Sequence, residues 1–151
     1  MISANSNTFS YAADAARARW AAHVDGGTEG LVCVLSGEAA TAAVRAALAT
    51  SFQRLGYGRD ACTFVALTAG ERTLNLADAY TLIESLDPLV LLATDSTATR
   101  VLAQIYRTSI SPEKPVRLLG RDTLAFTDFA ADLASPAGKQ RAWTALKQLA
   151  R

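Results

Sequence analysis

The sequence predicts an α/β domain of the three-layer α/β/α sandwich type, with a short, mainly parallel four-stranded sheet between two helical layers. Two patterns lead to this prediction. Short apolar runs bounded by turn residues recur along the chain, as expected of strands buried on both faces. Segments with apolar residues at helical spacing separate these runs. Half of the 151 residues are hydrophobic, enough for one buried core, so we expect a single domain.

The first element expected is a helix that begins near Ser10, which can cap it. Residues 1–9 predict a loose N-terminal arm. Four residues follow at helical spacing: Tyr11, Ala15, Ala18 and Ala22. The turn residues 25–27 then end the helix. The single α/β domain is therefore expected over residues 10–151.

Four apolar runs predict the strands, and we place these runs at 31–35, 62–67, 89–93 and 116–119. The segments between the runs carry the helical period. The fourth strand is weaker and is expected near an edge, because Arg117 interrupts its apolar run. Residues 120–134 fit either a helix or an extended strand, and both alternatives stay open. Ser135 and Pro136 are typical of the start of a last helix.

Ligands of open α/β sheets bind outside the carboxyl ends of the strands, so the residues directly after the predicted strands are the candidate site. These ligand-binding candidates are Ser36, Gly37, Glu38, Thr68, Thr94, Asp95, Ser96 and Arg121. Helix N-termini at this edge present N–H groups that suit an anion or a base carbonyl. Each candidate also has a plainer interpretation. Residues 36–38 suit a tight turn, Asp95 suits a helix N-cap, and Arg121 with Asp122 suits a solvated pair.

Composition and motifs exclude several classes of function. The formal net charge of +1 argues against a DNA-coating protein, and no run approaches the about 20 apolar residues of a membrane helix. Phosphate-binding loops, dinucleotide fingerprints and nucleophile elbows are absent from the sequence. The polar N-terminus does not have the pattern of a signal peptide, so a cytoplasmic location is expected.

Metal and cofactor chemistry is not predicted. Cys33 and Cys62 lie in apolar runs and are expected to be buried free thiols. The single histidine, His23, is expected at the surface or at a helix end, away from the strand ends. We therefore predict no metal site and no cofactor, and we assign no catalytic residue.

Three stretches resemble the uracil-DNA glycosylase superfamily. Residues 31–38 resemble the segment that leads into that family's first motif. Residues 55–67 are similar to the approach to its central strand, and residues 86–98 are similar to its proline, strand and helix stretch. The resemblance covers residues 31–149. It implies a short parallel sheet between helices, with the site at the strand ends.

The chain departs from that family at the groups that carry catalysis. The family's first motif supplies a water-positioning acid or amide and a proline turn. In residues 36–40 of this sequence, Glu38 is the only acidic residue and there is no proline. The family's second motif supplies a histidine, which residues 119–123 lack, and Thr94 stands where the family often has glycine. Base excision requires groups that grip the flipped base and stabilise its leaving group. The resemblance therefore implies the fold without the family's catalytic set.

Two classes of function follow. We expect a non-catalytic binding or interaction protein that could form a homo-oligomer, with a homodimer the simplest form. The alternative is a divergent hydrolase or glycosylase that acts on a nucleotide or nucleic acid at the carboxyl edge of the sheet. The sequence identifies no partner, supports nucleic acid or nucleotide only weakly, and argues against a membrane.

Overall fold

The computed structural model describes residues 4–27 and 30–150. Six strands of this part form one mixed sheet. Its strands are β1 (Val24–Gly26), β2 (Val32–Ser36), β3 (Cys62–Ala66), β6 (Val90–Ala93), β7 (Val116–Leu118) and β8 (Arg121–Ala125). A separate ribbon pairs β4 (Thr68–Ala69) with β5 (Arg72–Thr73). The helices of this described part are α1 (Ala4–Arg19), α2 (Ala42–Arg54), α3 (Leu76–Leu86), α4 (Ser96–Ile105), α5 (Phe129–Asp132) and α6 (Pro136–Leu146), and a 3-10 turn (Lys147–Leu149) follows α6.

The α/β class is confirmed, but the sheet is larger and more mixed than predicted. Its order is β1-β3-β2-β6-β8-β7. The four central strands pair in parallel, whereas β1 and β7 are antiparallel edge strands. Sequence analysis missed β1 because its three residues, Val-Asp-Gly, are too few to show a period.

The prediction of the fourth parallel strand was wrong in its position. The run at 116–119 forms β7, which pairs antiparallel with β8 across a turn at Leu119 and Gly120. Both turn residues have positive φ, as a two-residue hairpin turn requires. The fourth parallel strand is β8, and α5 follows it, so the open segment 120–134 contains both a strand and a short helix. Because β8 begins with two charged residues, Arg121 and Asp122, the search for apolar runs did not detect it.

The first helix also begins earlier than expected. Helix α1 starts at Ala4, so the predicted start near Ser10 is too late and residues 4–9 belong to the helix, not to an arm. Residues 1–3 lie outside the described residues. The described segments contain no helix that is both long and apolar enough to cross a membrane.

The core lies on both faces of the sheet, because side chains alternate along each strand. Val32 and Val34 of β2 belong to one apolar cluster, together with residues of α2 and α6. Cys33 and Leu35 belong to the other, together with residues of α1, α3 and α4. Cys33 and Cys62 are buried free thiols, as predicted. The parallel pairing of the four central strands places their carboxyl ends at one edge of the sheet.

Candidate functional site

The carboxyl ends of β2 and β6 lie side by side at this edge. The chain leaves β2 for β3 on one side and leaves β6 for β8 on the other, which is the arrangement that opens a crevice in α/β sheets. Ser36 ends β2, and Thr94 follows β6. Their buried hydroxyl groups are 2.6 Å apart and share a hydrogen bond in which either oxygen can donate. The structure thus brings together two of the predicted site residues.

Asp95 links the two loops that leave these strands. Its Oδ2 accepts the backbone N–H of Gly37 at 2.9 Å, and its Oδ1 accepts the backbone N–H of Ala98 at 2.8 Å. The second bond confirms the N-cap interpretation of Asp95. A Cβ on Gly37 would stand 3.2 Å from Thr97 Cβ, so the turn after β2 has little room for a side chain. The two hydrogen bonds engage both carboxylate oxygens of Asp95 with the backbone.

Side chains of the protein already cap the helices that begin at this edge. Thr41 accepts from the N–H of Val44 at α2, and Asp128 accepts from the N–H of Ala131 at α5. With Asp95 at α4, two of these three caps are carboxylates, which offset the partial positive charge of a helix N-terminus. The predicted anion-binding character of these ends is therefore not favoured by their surroundings.

A cavity of about 150 Å³ opens between the capped helices. Its polar lining includes Ser36, Glu38, Thr94, Asp95 and Asp128. Lysine and arginine do not occur in its lining among the described residues. A water occupies about 30 Å³ in the liquid, so this volume suits a small group and not a whole nucleotide. The cavity is polar, acidic and small.

Two further predicted residues lie beside this cavity. The N–H of Thr68 donates to the carbonyl of Gly37 at 2.8 Å, and the Thr68 hydroxyl pairs with the Thr73 hydroxyl at 2.9 Å. Ser96 Oγ donates to the carbonyl of Thr127 at 3.3 Å. Both residues support the loops of the edge without lining the cavity.

Arg121 does not belong to this edge. It begins β8, which runs parallel to β6, so it lies at the amino end of the sheet. The solvated-pair interpretation is also wrong, because Arg121 is only 8% exposed. Its guanidinium donates to Glu84 at 2.6 Å, to Asp87 at 2.9 Å and to the carbonyl of Pro88 at 3.0 Å. Burial lowers the pKa of Arg121, but the hydrogen bonds with Glu84 and Asp87 outweigh it and hold the pKa above its usual value.

His23 is a second residue that sequence analysis misplaced. It is 7% exposed and lies at the carboxyl end of β3. Its Nδ1 donates to the carbonyl of Ala66 at 2.7 Å, and the N–H of Ala66 donates to the His23 carbonyl at 2.9 Å. His23 and Ser36 line a second cavity, of about 130 Å³, next to the first. His23 is placed here by the pairing of β1 with β3. Sequence analysis did not predict β1, so it offered no signal for this position.

Neither a metal centre nor a relative explains this edge. Within the described ranges, no group of three or more His, Cys, Asp or Glu side chains is arranged to hold a metal ion. Comparison with protein-family models gives no match, and comparison with curated proteins gives no significant match. The chemistry of the site therefore has to be argued from its side chains.

Proposed function

We propose that this chain is a non-catalytic binding or interaction domain whose 150 Å³ cavity accepts a small donor-rich group, such as an ammonium, amide or guanidinium. One observation carries this proposal: the polar groups at the ends of β2 and β6 satisfy one another. Asp95 holds two backbone N–H groups, and the hydroxyls of Ser36 and Thr94 hold each other. A general acid or base needs hydrogen-bond reach to its substrate, whereas these groups are occupied.

The charge of the cavity supports a ligand that donates hydrogen bonds. Glu38, Asp95 and Asp128 contribute carboxylates, and Ser36 contributes a hydroxyl. A phosphate at this position would meet those carboxylates without a cation among the described lining residues. A ligand N–H, on a small molecule or on a partner's side chain, would find acceptors.

Amide NMR titration tests this proposal. The probes are methylammonium, acetamide and N-acetylarginine amide, compared with uridine monophosphate and short single-stranded DNA. We expect the donor-rich probes to shift the amide signals of Gly37 and Ala98, and we expect Glu38→Gln to weaken the response to the cationic probes. Glu71→Gln, a change in an exposed loop, is the matched control. Shifts caused by the nucleotide or DNA alone, or by none of the probes, would contradict the proposal.

A second candidate is the divergent hydrolase or glycosylase acting on a nucleotide or nucleic acid. The observation that favours it is that His23 and Ser36 line the same 130 Å³ cavity. Incubation with uracil-containing DNA and with nucleotides, followed by product analysis, tests it. Product formation that His23→Asn and Ser36→Ala both abolish would support the enzyme, since asparagine can keep the bond to the Ala66 carbonyl while lacking the second ring nitrogen.

We also propose the three-layer architecture and the kinship of fold with the uracil-DNA glycosylase superfamily. The two apolar clusters on opposite faces of β2 support the layers. The neighbouring parallel strands β2 and β3 support the kinship because they fall in stretches that resemble the family. A cytoplasmic location stays a prediction.

An interaction role has separate support at the amino edge of the sheet. Leu89 is 51% exposed and Leu119 is 67% exposed, although both are large and apolar. Leu89 precedes β6 and Leu119 lies in the turn that leads into β8, and these two strands are neighbours, so both leucines lie at this end of the sheet, where exposed apolar groups can form an interaction surface. Light scattering over a range of protein concentrations tests the predicted homodimer, and Leu119→Ser is expected to shift any dimer toward monomer.

A further inference from the structure

A third cavity, a cleft of about 630 Å³, lies between the end of α1 and the β4–β5 ribbon. Its volume falls in the range of small-molecule sites, about 300–1,000 Å³. Trp20, His23 and Leu74 contribute buried side chains to its lining, and Arg19, Arg72 and Asp78 contribute charged ones. The cleft thus combines an apolar wall with charge, unlike the acidic cavity described above.

His23 supplies a ring nitrogen without a protein partner in the described part of the chain. Its Nδ1 is committed to the carbonyl of Ala66, which requires the proton on that nitrogen. The other ring nitrogen, Nε2, has no hydrogen-bond partner in the described part of the chain, although the residue is more than nine-tenths buried. With Nδ1 protonated, a neutral imidazole presents Nε2 as an acceptor for a hydroxyl.

The two arginines leave the cleft with an uncompensated positive charge. Arg72 is exposed and forms no ion pair within the described residues. The Arg19 guanidinium lies 4.4 Å from the centre of the Trp20 ring, and its Nη2 is 3.9 Å from Asp78 Oδ1. Two cations therefore face one carboxylate. A guanidinium suits carboxylate and phosphate oxygens because its N–H groups form a planar fork.

We propose that this cleft binds an organic oxyanion that carries a hydroxyl group, of the class of phosphate monoesters or hydroxycarboxylates. Arg72 and Arg19 hold the oxyanion, His23 Nε2 accepts a hydrogen bond from the hydroxyl, and Trp20 covers the carbon skeleton. This site is separate from the cavity between β2 and β6, so its failure leaves the proposed function standing. Hydroxylated phosphate monoesters and hydroxycarboxylates both carry an oxyanion and a hydroxyl group, and a pair of probes from each class distinguishes them.

Calorimetric titration with paired probes tests the proposal. Glycerol 3-phosphate is compared with propyl phosphate, and glycerate is compared with propionate, so that each pair differs in its hydroxyl groups. We expect the hydroxylated member of at least one pair to bind more tightly, and the pair that responds identifies the oxyanion. Arg72→Gln is expected to weaken binding at least tenfold. Arg100→Gln, which removes an exposed arginine of α4 far along the chain, is expected to change it less than twofold.

His23→Asn separates recognition of the hydroxyl from recognition of the charge. Asparagine can keep the donor to the Ala66 carbonyl but has no counterpart of Nε2, so this variant should lose the preference for the hydroxylated probe while it retains binding to the oxyanion. A ligand-dependent change in the imidazole nitrogen signal of the unaltered protein gives the same readout if the variant does not fold. No binding of any probe at millimolar concentration, or equal losses in Arg72→Gln and Arg100→Gln, would overturn the proposal.

Discussion

Asp95 and Gly37 join two loops that are 58 residues apart in the chain. The Asp95 carboxylate accepts the Gly37 N–H at 2.9 Å and caps α4 with its other oxygen. An N-cap residue needs only the second of these bonds. The first bond fixes the turn after β2 against the start of α4, at the point where the candidate cavity opens.

Replacement of Asp95 is expected to cost more than the loss of a helix cap. Asp95→Ala removes acceptors from two backbone N–H groups, and we expect the free energy of unfolding to fall by about 2–3 kcal/mol. Asp128→Ala removes one such acceptor, from Ala131, and should cost about 1 kcal/mol. Urea denaturation measures both. Equal costs for the two variants would show that the Gly37 bond contributes nothing to stability.

The buried hydroxyls of Ser36 and Thr94 are expected to behave as a coupled pair. Ser36→Ala or Thr94→Val alone leaves the other hydroxyl without its partner, which should cost about 1–3 kcal/mol. The double variant removes both polar groups and should cost less than the sum of the two. A double-mutant cycle by chemical denaturation is expected to give a coupling energy of about 1–2 kcal/mol. Additive costs would mean that the two hydroxyls do not depend on each other.

Arg121 is expected to stabilise the amino end of the sheet. Arg121→Met leaves the Pro88 carbonyl without its donor and leaves Glu84 with the Tyr106 hydroxyl alone, so we expect the free energy of unfolding to fall by about 2–3 kcal/mol. Arg117, which is mostly exposed and pairs with Asp122, is the matched control. Arg117→Met should cost less than about 1 kcal/mol. Thermal and urea unfolding of both variants measure the difference, and equal costs would remove the special role of the buried arginine.

The two thiols are expected to be inert in the folded protein. Burial raises the pKa of Cys33 and Cys62 from 9.0 to about 12, so almost no thiolate exists at pH 8. A thiol reagent should react slowly without denaturant and rapidly with both thiols in urea. Fast reaction without denaturant, at the rate seen in urea, would contradict this expectation.

The same shift predicts how stability depends on alkaline pH. Below pH 9 the thiols are protonated in both the folded and the unfolded chain. Between pH 9 and about 12 the unfolded chain releases these protons and the folded protein retains them, so the free energy of unfolding should fall as the pH rises. Denaturation series at pH 8 and pH 10.5 check the direction. A Cys33→Ala, Cys62→Ala double variant should show a smaller fall.

Periodicity predicted most of the secondary structure. The apolar runs at 31–35, 62–67 and 89–93 correspond to β2, β3 and β6 within one or two residues. Strands buried on both faces have this pattern wherever they lie in the sheet. Periodicity failed at β8, because Arg121 and Asp122 begin it and a buried arginine does not look like a core residue in a sequence.

Part of the candidate site was also predicted from the sequence. Ser36, Glu38, Thr94 and Asp95 do line one cavity, because the ends of parallel strands share an edge of the sheet. His23 was assigned to the surface or to a helix end, away from the strand ends, and Arg121 was assigned to the carboxyl edge; both assignments are wrong. Each of these two residues has its partners in another element of the sheet or its helices.

Local pattern is enough to specify an α/β chain, its main strands, the helix caps Asp95 and Ser135, and two buried thiols. Strand order, the direction of β7 and the environments of His23 and Arg121 arise from contacts between distant segments. His23 meets Ala66 across 43 residues, and Arg121 meets Glu84 across 37. Apolar burial repeats with the period of a helix or strand and can be seen in a short window of sequence. The hydrogen bonds and ion pairs that satisfy a buried polar group have no such period, because they depend on which strands become neighbours.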